Sequence, residues 1–178
     1  MKKLVVSFIL IVTTIYCGAQ MQEAKKVPID IDSTLILNVK RSAAWELLKD
    51  LKNWDKIYGS AIATFDVQGD TGDRETAKLP DLEMTVVFAD KTVRKYKLTQ
   101  FQPEDRFIVL KVVEPEQQGI NESYIGLVLN VDTETSCKFK FFARVDGPEP
   151  SKTSLVNQMK KEMRIFIGSF QKKLQSVN

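Results

Sequence analysis

Hydrophobic and polar residues alternate along residues 136–145, which is the pattern of a strand that buries one face. One parity holds Cys137, Phe139, Phe141, Ala143 and Val145. A similar alternation between Ile29 and Val39 predicts a first strand with one buried face. The thiol and rings of the later strand are therefore expected to meet either a filled core or a cavity that something else fills.

Helical spacing follows the first predicted strand and returns at the end of the chain. Ser42 is expected to cap a first helix, and Asn53 a shorter second one. After a break at residues 147–150, apolar residues recur every three or four positions: Leu155, Met159, Met163, Phe166, Phe170, Leu174 and Val177. This spacing predicts one long surface helix with a single buried stripe, and it assigns Glu162 to the exposed side with Lys160 and Lys161.

Turn-forming segments divide the middle of the chain into a run of predicted strands. These lie near residues 61–68, 75–79, 84–89, 93–101, 107–114, 124–131 and 138–145. Connections this short favour antiparallel neighbours. The chain is therefore predicted to be an α+β protein, with an antiparallel sheet and one long C-terminal helix.

The first 19 residues have the features of a cleaved export signal. Lys2 and Lys3 precede an apolar run over residues 4–16, which is short for a bilayer span, and small residues end at Ala19. Export across a bacterial inner membrane, to the periplasm or beyond, is expected. The competing interpretation, a lipoprotein modified at Cys17, is less favoured because the bulky Tyr16 precedes the cysteine. Residues 20–28 are then a flexible lead-in, and residues 29–178 form one domain.

Composition narrows the possible partners and chemistry. Two of the three net positive charges lie in the predicted signal, and no basic stripe with interleaved aromatics remains to bind nucleic acid. The chain has no histidine, which removes the commonest general base and most zinc sites. It also has no glycine-rich phosphate loop. No cofactor, metal or stable membrane insertion after signal cleavage is expected, and Cys137 is interpreted as a buried apolar side chain.

Strand parity singles out two polar residues of the middle strands. Lys95 and Lys97 should face water, which turns Arg94 and Tyr96 inward. A guanidinium near a cavity mouth could bind a carboxylate or phosphate group. The favoured alternative is that Arg94 bends into solvent at its strand end, while Arg74 and Glu83 pair with each other.

Several motifs, in order, resemble the START-like, or polyketide cyclase and lipid-transport, superfamily (SRPBCC). The stretch NVKRSAAWELLKDLKNW, residues 38–54, is similar to the opening of that family, and GDTGDRE, residues 69–75, to its glycine-turn-arginine pattern. Glu83, Asp90 and Tyr96 continue the resemblance, which covers residues 29–178.

The resemblance implies the helix-grip fold, with a curved antiparallel sheet around a long C-terminal helix and two short helices after the first strand. It also implies a cavity for a lipid-like or polyketide-like ligand. By parity and resemblance, the expected ligand-binding residues are Arg94, Tyr96, Leu98, Phe107, Leu127, Leu129, Cys137, Phe139, Phe141, Met159, Met163 and Phe166. No catalytic residue is assigned.

Three functions stay open on the sequence. The first is a binding protein for a hydrophobic small molecule, and the second is a cyclase or dehydratase that uses the same cavity. The third is a domain whose own side chains fill the cavity and which acts through protein contacts. The missing histidine and the lack of a strong catalytic motif favour binding over catalysis.

Overall fold

The computed structural model describes residues 28–73, 75, 78–114 and 119–177. The predicted signal at residues 1–19 and all but the last residue of the lead-in lie outside these ranges, so both stay predictions. Within the described ranges, no helix combines the length and the apolar character needed to cross a membrane.

Seven antiparallel strands form one sheet in the described part of the chain, in the order β1-β7-β6-β5-β4-β3-β2. They are β1 (Ile31–Leu37), β2 (Ile62–Gln68), β3 (Glu83–Phe88), β4 (Val93–Gln102), β5 (Phe107–Glu114), β6 (Glu122–Val131) and β7 (Cys137–Asp146). The register shifts in the β2–β3 and β4–β5 pairs, and such bulges bend a strand. The predicted antiparallel arrangement is confirmed, with β1 and β2 at opposite edges.

Among the described residues, three α-helices accompany the sheet: α1 (Arg41–Leu48), α2 (Asp55–Tyr58) and α3 (Ser151–Val177). Short 3₁₀ turns at Leu51–Asn53 and Gly59–Ala61 flank α2. The two predicted caps are wrong, because α1 begins after Lys40 with no side-chain cap and the amide of Asn53 instead donates to the carboxylate of Asp50. The order of elements confirms the helix-grip α+β fold.

The strand predicted at residues 75–79 is wrong. The described residues there form a turn with one isolated bridge, in which Asp73 and Lys78 exchange backbone hydrogen bonds of 2.9 and 2.7 Å. Gly72 has a φ of 75°, and a Cβ there would lie 2.6 Å from the carbonyl oxygen of Lys78. Gly72 and Lys78 therefore approach each other closely, and Leu79 is 81% exposed, so this apolar residue marks no buried face.

An aromatic cluster fills most of the space between α3 and the sheet. The ring of Phe166 on α3 lies 5.1 Å from Trp54, 5.4 Å from Tyr58, 6.4 Å from Phe139 and 5.9 Å from Phe170, between centroids. The alternation predicted for β7 is confirmed, since its Cys137 parity is buried throughout. The question raised by that parity is largely answered in favour of a filled core.

Candidate functional site

A small cavity remains between α2, α3 and the inner face of the sheet. Its lining consists of Trp54, Tyr58, Tyr96, Leu110, Ile125, Leu127, Phe141, Glu162, Met163 and Phe166. Its volume, counted over the positions open to the centre of a water molecule, is about 20 Å³. That is room for about one water molecule, because a water needs roughly 10–15 Å³ on the same measure.

A buried ion pair joins β4 to α3 at the edge of this cavity. The Arg94 side chain is fully buried and that of Glu162 is 7% exposed. The Nη2–H of Arg94 donates to Oε1 of Glu162 at 2.6 Å, and its Nε–H lies 3.2 Å from both carboxylate oxygens. The pair therefore has a two-pronged geometry, which strengthens charge-assisted hydrogen bonds.

This ion pair corrects two expectations. Arg94 turns inward, as strand parity indicates, and does not bend into solvent. Glu162 lies on the buried stripe of α3, three residues after Met159 and four before Phe166, and not on the exposed side. The position of Glu162 within the apolar spacing of α3 indicated burial, but its charge led to its assignment to the exposed side. Glu83 pairs with Lys97 on the surface at 3.3 Å. Arg74, its expected partner, lies outside the described residues, so that pairing stays a prediction.

Two tyrosine hydroxyls complete the polar end of the site. The O–H of Tyr96 donates to Oε2 of Glu162 at 3.4 Å. Burial, with the negative charge of Glu162 as a smaller cause, raises the pKa of Tyr58 above its usual range. Burial also raises the pKa of Tyr96, and its neighbours Tyr58 and Glu162 add to the effect. Both phenols therefore stay neutral and can donate a hydrogen bond at any physiological pH.

The polar groups of the site are suited to hydrogen bonding more than to proton transfer. Its polar groups are one carboxylate held by a guanidinium and two phenols whose raised pKa disfavours ionisation. The described residues contain no cluster of acidic or cysteine side chains suited to a metal ion. The indole N–H of Trp54 is committed to the carbonyl of Leu48 at 2.9 Å, so this ring contributes only an apolar wall.

The structure brings some of the predicted ligand-binding residues together. Those that line the cavity are Tyr96, Leu127, Phe141, Met163 and Phe166. Others are buried outside the lining: Arg94, Leu98, Leu129, Cys137, Phe139 and Met159. Sequence reasoning missed four residues besides Glu162. These are Trp54, Tyr58, Leu110 and Ile125, all of which the apolar periodicity of their own elements could have indicated.

The inward orientation expected of Phe107 is wrong. Its neighbour Ile108 is fully buried, whereas Phe107 is half-buried on the outer face and lies 6.3 Å from the ring of Phe142. Strand parity decides the face, so only one of these two adjacent apolar residues can point inward. An aromatic pair on the outer face of the sheet explains why Phe107 is apolar without lining the cavity.

A larger hollow of about 570 Å³ lies on the surface between the segments around residues 71–80 and 99–104. It is open to solvent and mixes polar with apolar groups, including the exposed Leu79. A hydrophobic ligand is better held by enclosure in an apolar wall. The small interior cavity is therefore the better candidate site.

The Cys137 thiol is expected to react slowly with a thiol reagent in the native protein and rapidly in denaturant. It is fully buried, and burial raises the pKa of this thiol, which lowers the thiolate fraction. Timed labelling with a maleimide, followed by mass spectrometry, measures both rates. Equal rates in the two conditions would contradict burial of the β7 inner face.

Comparison with solved structures identifies the fold. Norcoclaurine synthase from Thalictrum flavum, in complex with dopamine and hydroxybenzaldehyde, superposes with a TM-score of 0.68 at 13% identity, over 100% of this chain and 99% of that one. A START superfamily protein from Mycobacterium smegmatis gives 0.62 at 6% identity, over 83% and 98% of the two chains. The di-domain ARO/CYC protein BexL gives 0.61 at 9% identity, over 82% of this chain and 46% of that one.

These similarities show that the chain has the START-like helix-grip fold, as its motifs indicated. At such identities they define the fold alone. No protein-family profile matches the sequence, and no curated protein matches it.

Proposed function

We propose that this chain is an exported protein that binds a hydrophobic small molecule, lipid-like or polyketide-like, between the sheet and α3. The observation that carries the proposal is the buried Arg94–Glu162 pair, placed where an apolar cavity meets two neutral tyrosine hydroxyls. A site with an apolar wall and a few convergent polar groups is the usual form of a small-molecule pocket.

The ion pair supports a binding role because the fold does not require it. Two charges removed from water lose several kcal/mol of hydration each, and hydrophobic residues of similar volume often stabilise a core as well or better. The remainder of the inner face is almost entirely apolar. A charged pair buried beside a cavity, the one such pair among the described residues, is more simply explained by a ligand than by folding.

Ligand binding requires the cavity to enlarge. Drug-sized ligands occupy pockets of roughly 300–1,000 Å³, far more than the space present here. Met163 is half-buried on α3 and Phe166 is at the centre of the ring cluster, and both line the cavity, so movement of these two side chains would enlarge it. The proposal therefore includes a rearrangement of the α3 side chains when the ligand enters.

Nile red, a neutral hydrophobic dye, is expected to bind the folded protein and to increase in fluorescence. Met163→Gln is expected to weaken this binding by about 1–3 kcal/mol, because the amide lacks a partner in the apolar wall. Arg164→Gln is the matched control, since residue 164 is exposed on the same helix, and it should leave the affinity unchanged. Fluorescence titration measures all three dissociation constants.

Failure of the wild-type protein to bind the dye supports the alternative in which ring side chains fill the interior and the surface binds a protein. The small cavity volume favours this alternative specifically. The enzymatic alternative, a cyclase or dehydratase, would need a phenol or carboxylate that exchanges protons. The raised pKa of both tyrosines and the engagement of Glu162 by Arg94 speak against it.

The export part of the proposal has its own test. Lys2, Lys3, the apolar run and the small residues before Gln20 predict cleavage after Ala19. Intact-mass analysis of protein recovered from the cell envelope is expected to show Gln20 at the N-terminus. Retention of Met1, or a lipid on Cys17, would contradict it.

A further inference from the structure

We infer that the cavity selects a neutral ligand carrying a hydroxyl or carbonyl group, and discriminates against an apolar molecule with a charged head. The inference rests on the proposed function and names the ligand class of that same site. It replaces the expectation, drawn from the sequence, that Arg94 could bind a carboxylate or phosphate.

The first step is the position of the two charges relative to the cavity. Glu162 borders the cavity, whereas Arg94 is not part of the lining. The guanidinium directs its Nε–H and Nη2–H to Glu162. The charged group that an entering ligand meets is therefore a carboxylate whose charge is already compensated. A ligand carboxylate or phosphate would face a like charge, and an ammonium would compete with an existing partner.

The second step is the pair of neutral donors. Tyr58 and Tyr96 line the cavity, and burial keeps both phenols protonated. Tyr96 donates to Glu162, while the hydroxyl of Tyr58 makes no hydrogen bond to any residue in the described part of the chain. This hydroxyl can donate to a ligand oxygen. A ligand hydroxyl at the same place can also donate to the carboxylate of Glu162.

The third step is the environment of these groups. The other lining side chains are hydrocarbon or aromatic, so a buried anion would lose its hydration without gaining a counter-charge, and a cation would find only the carboxylate that Arg94 already engages. A neutral hydroxyl or carbonyl loses much less and gains a hydrogen bond from Tyr58. The site therefore recognises the polar atom of its ligand through a hydrogen bond and not through charge.

Competition between molecules of one chain length tests this inference. Nile red bound to the full chain is displaced at pH 7.5 by 1-octanol, octanoate or octylammonium, which share the alkyl chain and differ in the head-group. 1-Octanol is expected to displace the dye at a concentration at least tenfold lower than either ion. Equal potency, or a more potent octanoate, would overturn the inference while leaving the proposed function intact.

Two variants test whether the Tyr58 hydroxyl is responsible for the selection of a neutral ligand. Tyr58→Phe is expected to weaken the binding of 1-octanol about 2- to 10-fold, because one neutral hydrogen bond is lost, and to change the binding of octanoate little. Tyr124→Phe is the matched control, because that hydroxyl donates to Glu122 on the outer face, and it should change neither. An unchanged 1-octanol affinity in Tyr58→Phe would contradict the assigned donor. No binding of Nile red would overturn the proposed function, and this inference with it.

Discussion

Arg94→Met is expected to lower the free energy of unfolding by about 3–5 kcal/mol, because it leaves the carboxylate of Glu162 buried without a counter-charge. Glu162→Leu is also expected to destabilise the protein, because the buried Arg94 guanidinium then loses the carboxylate that accepts from its Nε–H and Nη2–H. The double variant, Arg94→Met with Glu162→Leu, should recover most of the loss, since it removes both charges and restores apolar contact between β4 and α3. Urea denaturation of the four proteins measures the coupling between the two sites.

Lys97→Met is the matched control for this series. Lys97 lies on the same strand as Arg94 and pairs with Glu83 at 3.3 Å, but both side chains are about half exposed. A surface pair of this kind contributes about 0–1 kcal/mol, so the control should change little. A double variant whose loss of unfolding free energy equals the sum of the two single losses would contradict a buried pair. An effect of Lys97→Met as large as that of Arg94→Met would also contradict it.

Phe166→Ala is expected to destabilise the protein by about 3–5 kcal/mol, because it empties the centre of the ring cluster under α3. Four rings lie within 6.4 Å of Phe166, so the surrounding structure has little freedom to collapse into the vacated space. The same substitution enlarges the cavity, so the variant that still folds should bind Nile red more tightly. Thermal denaturation and dye titration measure the two effects.

Phe142→Ala removes an equal side chain from the outer face of the sheet. Phe142 is half-buried there and stacks against Phe107 at 6.3 Å, so its loss leaves no internal cavity and should cost clearly less. Equal losses in the two variants would indicate that the interior under α3 is not the packed core described here.

The fold was predictable because its periodic segments are long. The alternation in β7 and the four-and-three spacing in α3 each extend over several repeats, so errors at single positions cancel. The segment at residues 75–79 has no such length, and Gly69 and Gly72, both at positive φ just before it, direct the path of the chain there. Phe107 and Ile108 are both apolar, but Phe107 shares its parity with Lys111 and Ile108 shares its parity with the buried Leu110 and Val112, so only Ile108 is inside.

The candidate site was harder to predict than the fold. Glu162 has the spacing of a core residue and the charge of a surface residue, and only its distance to Arg94, which is remote in sequence, resolves the conflict. The cavity volume depends on how the rings of Trp54, Tyr58 and Phe166 pack against one another. That packing arises from three elements together and is encoded in no single segment.

The Arg94–Glu162 contact has a mechanical consequence for α3. Near the first turn of α3, Lys152 forms an ion pair at 2.7 Å with Asp30, which lies just before β1. Near the middle of α3, Glu162 forms the ion pair with Arg94 on β4. A ligand that donates a hydrogen bond to Glu162 therefore engages the same carboxylate that holds the helix to the sheet. Occupancy of the cavity and the opening rate of the middle of α3 are thus coupled, and amide hydrogen exchange along that helix would report when the site is filled.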